Sequence, residues 1–520
     1  MRKVVSEMRI NELKFGIYLS YISLFVTNVT NLMLTPFIIR NLGQSQYGIY
    51  SLIGALVGYL AVLDFGLSNT TVRFVAKYRA ENDKKGEENF LASTLIIYVL
   101  ISITVLLLGS IIYFNLDTIF KSSMNESEIR IAKIMYIILV INLGLSLPIN
   151  LFKGIISGYE RFVFSRVITI LQIIIRAAVI FILLSLGYKA IAIVLVDAIL
   201  NIILMILNMI YVFTKLRVRF KLHQFSLSFL KEIFSYSSLI FISVIVDQFY
   251  WRIGHLVLGI IASTSEVAIF SVGMTIGQYY ISFSTAFSGV FLPRITKMVV
   301  KNASGEELTD QLIKTGRIQF IILGLILSGF TLFGNEFISL WAGKDYSESW
   351  VIALLVMIPL FVVLTQTIGI SILQAKNMHG FRAFVYLGIS IINLFVSVLL
   401  AKKFGAVGSA AGTTLSLIIG NIIIMNLYYH YKVKLNMKRF FKEVFGGLMS
   451  PLLASLFIGS FLLLVPGISW ISLFIKCILY SILFFILNWK LGMNNFEKKL
   501  LSDTFSKLFT RLQSKNVKFE

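Results

Sequence analysis

The sequence predicts an all-α polytopic membrane protein of about 14 transmembrane helices, built as two parallel-repeat six-helix lobes plus a C-terminal helix pair. Three observations predict it. The 520 residues are 57% hydrophobic and only 14% charged, whereas a soluble domain is about half apolar and about a quarter charged. Fourteen segments are apolar enough and long enough to span a bilayer, which takes about 20 residues. The basic residues also segregate to alternate connections. A net charge of +22 would suggest nucleic acid in a soluble protein, but the apolar content excludes that partner, and it excludes disorder as well.

The first six predicted spans run over 15–39, 47–72, 90–116, 131–152, 164–186 and 190–213. The next six cover 232–262, 266–292, 317–341, 350–374, 383–401 and 407–430, and a last pair covers 446–466 and 469–489. The early Lys and Arg residues precede an apolar run with no small-residue cleavage pattern, so the first span reads as an uncleaved helix. Residues at span edges belong with the adjoining loop. On that basis, predicted cytoplasmic segments hold 36 of the 47 Lys and Arg, and outside loops hold 8. This follows the positive-inside rule and places both termini in the cytoplasm. The charge is therefore an orientation signal that faces anionic membrane lipids. The reading divides the chain into an N-terminal six-helix lobe (1–214), a cytoplasmic linker (215–231), a C-terminal six-helix lobe (232–431), an additional helix pair (432–490) and a cytoplasmic basic tail (491–520).

A duplication supports the two lobes. Ser45-Gln46-Tyr47-Gly48-Ile49-Tyr50-Ser51 aligns with Ser265-Glu266-Val267-Ala268-Ile269-Phe270-Ser271, and each stretch opens the second span of its half. Leu186-Gly187 and Phe404-Gly405 start similar turns between the fifth and sixth spans of each half. Both halves start inside, so the repeats are parallel. Pro148 and Pro359 put kinks at equivalent places, in spans four and ten; neighbouring helices can satisfy the carbonyls they free. In the tail, Leu501, Phe505, Leu508 and Leu512 follow helical spacing among lysines and Arg511. An amphipathic surface helix and a solvated tail both fit.

No P-loop, zinc-protease or nucleophile-elbow motif occurs, and no cofactor is implied. Cys477 is the only cysteine, and His223, His255, His379 and His430 are scattered, so there is no cysteine-based metal site. Ionisable residues inside spans are costly and therefore functional candidates, although internal ion pairs that fix helix packing account for many. The acids are Asp64, Asp197 and Asp247, and the bases are Arg176, Arg252 and Lys476, with His255 close by. Span seven is the densest: Gln248, Arg252 and His255 form one stripe, with Ser243, Asp247 and Trp251 beside it. Span eight carries a polar stripe of Ser271, Thr275, Gln278, Ser282, Thr285 and Gly289. Close helix packing explains small hydroxyl residues, but a stripe that long points to a wet cavity. Thr27, Asn31 and Thr35 repeat the pattern in span one; Gln172 shares a face with Arg176, and Asn201 with Asp197. A cationic polar seam suits an anionic head group.

Gly48-Ile49-Tyr50, then Leu63-Asp64-Phe65-Gly66-Leu67 and Arg73-Phe74, together with Glu266-Val267-Ala268-Ile269-Phe270, resemble the Wzx-like polysaccharide flippases. These belong to the multidrug/oligosaccharidyl-lipid/polysaccharide exporter superfamily. The resemblance implies two lobes around a V-shaped cavity in a bacterial cytoplasmic membrane. It also implies alternating-access transfer of undecaprenyl-pyrophosphate-linked oligosaccharide (O-antigen, capsule or a related repeat unit) and partners among glycan polymerases and other envelope-assembly proteins. Asp64 and Arg73 match the family pattern; they stand about 180° apart on one ideal helix, so a mutual bond would need a helix break at Gly66. On this reading Arg176, Arg252, Gln248, Gln278, Ser282 and Asn31 bind substrate, and Asp64, Arg73, Asp197, Asp247 and His255 couple ions or gate. No catalytic residue or metal is assigned. An ion-coupled drug/cation antiporter of the same superfamily is the alternative, and it calls for a dominant acidic cavity. A membrane glycan polymerase or ligase calls for a large outside loop, and the longest predicted one is 117–129. A scaffold for envelope enzymes is a further alternative.

Overall fold

The computed structural model describes residues 2–224, 241, 245, 248, 250–288, 291–376 and 378–503. Every regular element among them is a helix. In chain order these include α1 (Arg2–Leu60), α2 (Leu67–Glu81), α3 (Lys84–Phe120), α4 (Glu126–Gly158), α5 (Phe162–Ser185) and α6 (Ala190–Tyr211). Then come α7 (Tyr250–Ile261), α8 (Thr264–Ser288), α9 (Leu292–Val300), α10 (Gly305–Trp341), α11 (Ser349–Thr365), α12 (Thr367–Ala375) and α13 (His379–Leu417). The last are α14 (Met425–Tyr431), α15 (Met437–Phe441), α16 (Gly447–Ser460) and α17 (Trp470–Leu487). Among the described residues nine helical stretches are long and apolar enough to cross a membrane; α11 and α12, bent by 48°, add a tenth if they form one span. Two of the stretches are really helix pairs. α1 breaks at Gly43 (φ 74°), between predicted spans one and two, and α13 breaks at Phe404–Gly405, where the sequence predicts a turn. The chain is a multi-pass membrane protein, and the predicted 14 crossings are compatible with this layout.

Local chemistry accounts for the ends and bends. Asn125 and Glu128 form a capping box at α4, and Ser304 and Glu307 form one at α10, which satisfies helix N–H groups that have no partner within the helix. Pro359 sits inside α11 and cannot donate to the Leu355 carbonyl four residues back. The Thr414 hydroxyl donates to that carbonyl at 2.6 Å. The second predicted span, 47–72, needs a correction. Its α-helix stops at Leu60, and one 3₁₀ turn runs over Ala61–Asp64. Phe65 (φ 51°) and Gly66 (φ 68°) are then left-handed, and α2 starts at Leu67. A β-carbon disfavours two successive left-handed residues, so a glycine at 66 makes the break affordable.

The chain forms two compact units: one comprises Met1–Ser271 with Tyr386–Gly412, the other Val272–Val385 with Thr413–Glu520. In the first, α4 is central and packs on α1, α2, α3 and α6, while α5 lies against α1. In the second, α10 is central and packs on α11, α16 and α17. There, buried Phe320 packs tilted against Phe361 and edge-on against Phe445, and a buried chain Ser284–Gln319–Thr367 ties α8, α10 and α12 together (2.7 Å at each step).

Candidate functional site

In the first unit Arg176, Asp197 and Arg252 are engaged by protein. Arg176 on α5 makes a two-point bond to Asp197 on α6, Nε to Oδ1 at 2.5 Å and Nη2 to Oδ2 at 2.9 Å. Both side chains are about one-quarter exposed. Such a planar fork holds a carboxylate more rigidly than lysine could. It joins two residues that the sequence places in different roles, one binding substrate and one gating. Arg252 on α7 donates from Nη1 to the Gly54 carbonyl at 3.0 Å. Its guanidinium lies against Gly58, where a β-carbon would fall 2.5 Å from it. The Gly54-xxx-Gly58 spacing thus makes a groove that admits a cation against helix backbone. One turn along, the His255 ring meets Phe270 edge-on at 5.0 Å, and its Nδ1 is buried without a hydrogen-bond partner among the described residues. Gln248 Oε1 is in the same condition. Asp247, and with it Ser243 and Gly289, lies outside the described residues.

Asp64 sits at the break before α2, and its carboxylate faces Asn150 Nδ2 on α4 at 3.5 Å, the long limit of a hydrogen bond. Arg73 is exposed, two turns into α2, so the break at Phe65–Gly66 lies between it and Asp64. Asn31 is half-buried on α1. In the second unit Gln278 is exposed and Ser282 half-exposed on α8. The Ser282 and Thr285 hydroxyls donate to carbonyls of their own helix (2.9 and 3.2 Å). Buried polar bonds on the opposite side of the helix come from Ser284. Lys476, predicted as an intramembrane base, bonds Glu336 at 3.0 Å, both largely buried; Glu336 lies inside the predicted span 317–341 yet is missing from the set of intramembrane acids read from the sequence. No cluster of three or more His, Cys, Asp or Glu side chains able to hold a metal occurs among the described residues.

Two features escaped the sequence reading. Gln46 Oε1 accepts from the Ala190 N–H at the start of α6 (3.3 Å), and Glu266 Oε2 accepts from the Ala406 N–H just after the break in α13 (2.6 Å). Gln46 and Glu266 are aligned positions of the repeat, and the capped helices follow the matched glycines Gly187 (φ 89°) and Gly405 (φ 54°). The duplication therefore extends to individual hydrogen bonds. The alignment held the clue, since a long polar side chain recurs at that position. The second feature is Glu128. Its Oε1 accepts from Ser45 Oγ at 2.5 Å and Thr264 Oγ1 at 2.9 Å, while its Oε2 accepts from the Asn125 N–H at 3.0 Å. From sequence it reads as one more charge in a loop.

The fold defines the class first. The structure of the lipid II flippase MurJ in an inward closed conformation superposes with a TM-score of 0.64 at 17% identity, covering 92% of this chain and 99% of that one. Solved structural neighbours are transporters of the MOP superfamily, so the chain has the fold of a polytopic membrane transporter. Residues 14–299 match the polysaccharide biosynthesis protein family; this is more than half of the chain, which belongs to that family. Relatives include a probable low-salt glycan biosynthesis flippase of Haloferax volcanii, 25% identical over 427 residues (79% of this chain, 82% of the relative). A putative O-antigen transporter of Shigella flexneri is 23% identical over 407 residues (75% and 92%).

Proposed function

We propose that the protein is a flippase that carries a lipid-linked oligosaccharide from the cytoplasmic to the outer leaflet of the bacterial cytoplasmic membrane, with both termini in the cytoplasm. Membership of the polysaccharide biosynthesis family, with relatives named as a glycan flippase and an O-antigen transporter, favours this over drug export. The observation that carries the mechanism is the repeat of the same helix cap at Gln46–Ala190 and Glu266–Ala406. Equivalent rigid units from two repeats can rock against each other, as alternating access requires. We assign the lobes to 1–214 and 232–431, an assignment distinct from the compact units, whose boundaries cut α8 and α13.

Arg252, Gln248, Asn31, Gln278 and Ser282 are assigned to the substrate path. Arg252 would meet the pyrophosphate by exchanging its backbone acceptor for a phosphate oxygen, and the α8 hydroxyl face suits sugar hydroxyls. Arg176 can serve the head group only if Asp197 releases it, which makes that pair a switch between helix packing and binding. Asp64, Arg73, Asp197, Asp247 and His255 are assigned to gating or ion coupling. The substrate is undecaprenyl-pyrophosphate-linked, and a glycan polymerase of the same pathway is the expected downstream partner. The test is a deletion strain: it should accumulate lipid-linked repeat units on the cytoplasmic side and lose surface glycan, and the intact gene should reverse both. Normal surface glycan in the deletion strain would overturn the assignment.

A further inference from the structure

We infer that Glu128 latches the outer side of the transporter shut by clasping the two sequence repeats together. The face called outer rests on the orientation proposed above. Glu128 is the third residue of α4, and the capping box fixes its side chain: Oε2 takes the Asn125 N–H, and Asn125 Oδ1 takes the Glu128 N–H at 2.9 Å. Its Oε1 is left over, and two hydroxyls from different repeats converge on it. Ser45 comes from the first repeat, where the second segment of α1 begins, and Thr264 from the second repeat, at the first residue of α8. The loop just before α4 extends the clasp. Ser122 Oγ donates to the Ile260 carbonyl at 2.9 Å, and Ser123 Oγ to that of Gly259. These are C-terminal carbonyls of α7, which lack partners in their own helix. The fit is close: a β-carbon on Gly48 would lie 1.8 Å from the Thr264 carbonyl oxygen, so only glycine lets the two repeats meet there. All of these groups lie within the first compact unit.

The chemistry of the clasp is that of a reversible gate. It consists of hydroxyls on a carboxylate and on backbone carbonyls, bonds that water can replace one for one when the ends part. A permanent interface would be apolar. Just inward, Leu52 is fully buried, and a β-carbon on Gly259 would fall 2.5 Å from its side chain, so an apolar seal backs the polar clasp. Release of substrate to the outer leaflet requires this strap to lift off the α7–α8 hairpin.

The test uses the full-length protein with its single cysteine removed (Cys477→Ser) and Ser45→Cys and Thr264→Cys introduced. A short bifunctional thiol reagent that is reducible should join the two positions, stop glycan export, and release it again on reduction. Continued export by the crosslinked protein, or no crosslink at all, overturns the latch. Failure of the uncrosslinked protein to restore export in the deletion strain, with normal protein levels, would instead count against the flippase assignment or the fold of that variant. A second variant separates these: Ser45→Ala with Thr264→Val removes both donors and leaves the capping box whole. In a Leu52→Cys, Cys477→Ser background, it should raise labelling by a membrane-impermeant maleimide applied from outside by roughly tenfold, since two hydrogen bonds bias the equilibrium. Unchanged labelling overturns the latch, and labelling only in inverted vesicles overturns the orientation.

Discussion

Removing the Glu497 carboxylate should cost this protein about 3–5 kcal/mol of stability, although Glu497 lies close to the C-terminus. Arg317 on α10 donates Nε to Glu497 Oε1 (2.5 Å), Nη2 to Glu497 Oε2 (3.1 Å) and to the Gly492 carbonyl (2.7 Å), and Nη1 to the Glu443 carbonyl (2.5 Å). Its side chain is 10% exposed and that of Glu497 only 3%. Glu497→Ala therefore deletes two of these four bonds and leaves a guanidinium buried against two carbonyls. Hydrogen bonds to charged groups are worth about 1.5–3 kcal/mol each, and breaking a buried pair by removing one partner costs about 3–5 kcal/mol. The bond from the Glu497 N–H to Asn494 Oδ1 (3.0 Å) survives the change, and loss of the one from the Asn494 N–H to Glu497 Oε2 (2.9 Å) falls within that range. Unfolding of the purified protein in detergent would measure this. Arg317→Met combined with Glu497→Leu should recover most of the loss, because no charge is then left unpaired. A Glu497→Ala protein within about 0.5 kcal/mol of the parent would refute the reasoning and show that water reaches the guanidinium.

Arg176→Ala and Asp197→Ala should each lower the unfolding midpoint, and the double variant should lose less than the two single losses combined, because the pair acts as one unit; a double-mutant cycle with no coupling would deny this. Gly58→Val should dislodge the Arg252 guanidinium, whose atoms lie 2.5 Å from the site of the new β-carbon, and should abolish export at near-normal protein levels, as measured by accumulated lipid-linked precursor. Gln46→Ala and Glu266→Ala should cost about 1 kcal/mol each, the worth of a helix cap, with Glu266 the larger because its bond is charged and shorter (2.6 against 3.3 Å); thermal unfolding of the two variants tests the ranking.

The helical membrane fold was legible because burial in lipid is written in one dimension. A span must be apolar over its whole length, and alternate connections must carry the positive charge. The repeat was legible in Ser45–Ser51 and Ser265–Ser271, and the turns in Gly187 and Gly405, since a left-handed residue leaves a glycine in the sequence. The break after Asp64 was only half legible: Gly66 allows it, but the apolar run continues through it. Partners were not legible. Residues on different helices meet through helix rotation and packing, which spacing along one chain does not encode. That is why Arg176 and Asp197, 21 residues apart, turned out to be one bonded pair.

By itself, the sequence determined that this chain crosses a membrane many times and that it is duplicated, because each depends on composition or local pattern alone. Tertiary structure decided which charges are spent on one another. It showed Arg176 held by Asp197, Arg317 held by Glu497 and Lys476 held by Glu336, and it raised Glu128 from a loop charge to the point where two repeats meet. The physical reason is that a hydrogen bond needs two atoms within about 3 Å, and only the folded chain brings them that close.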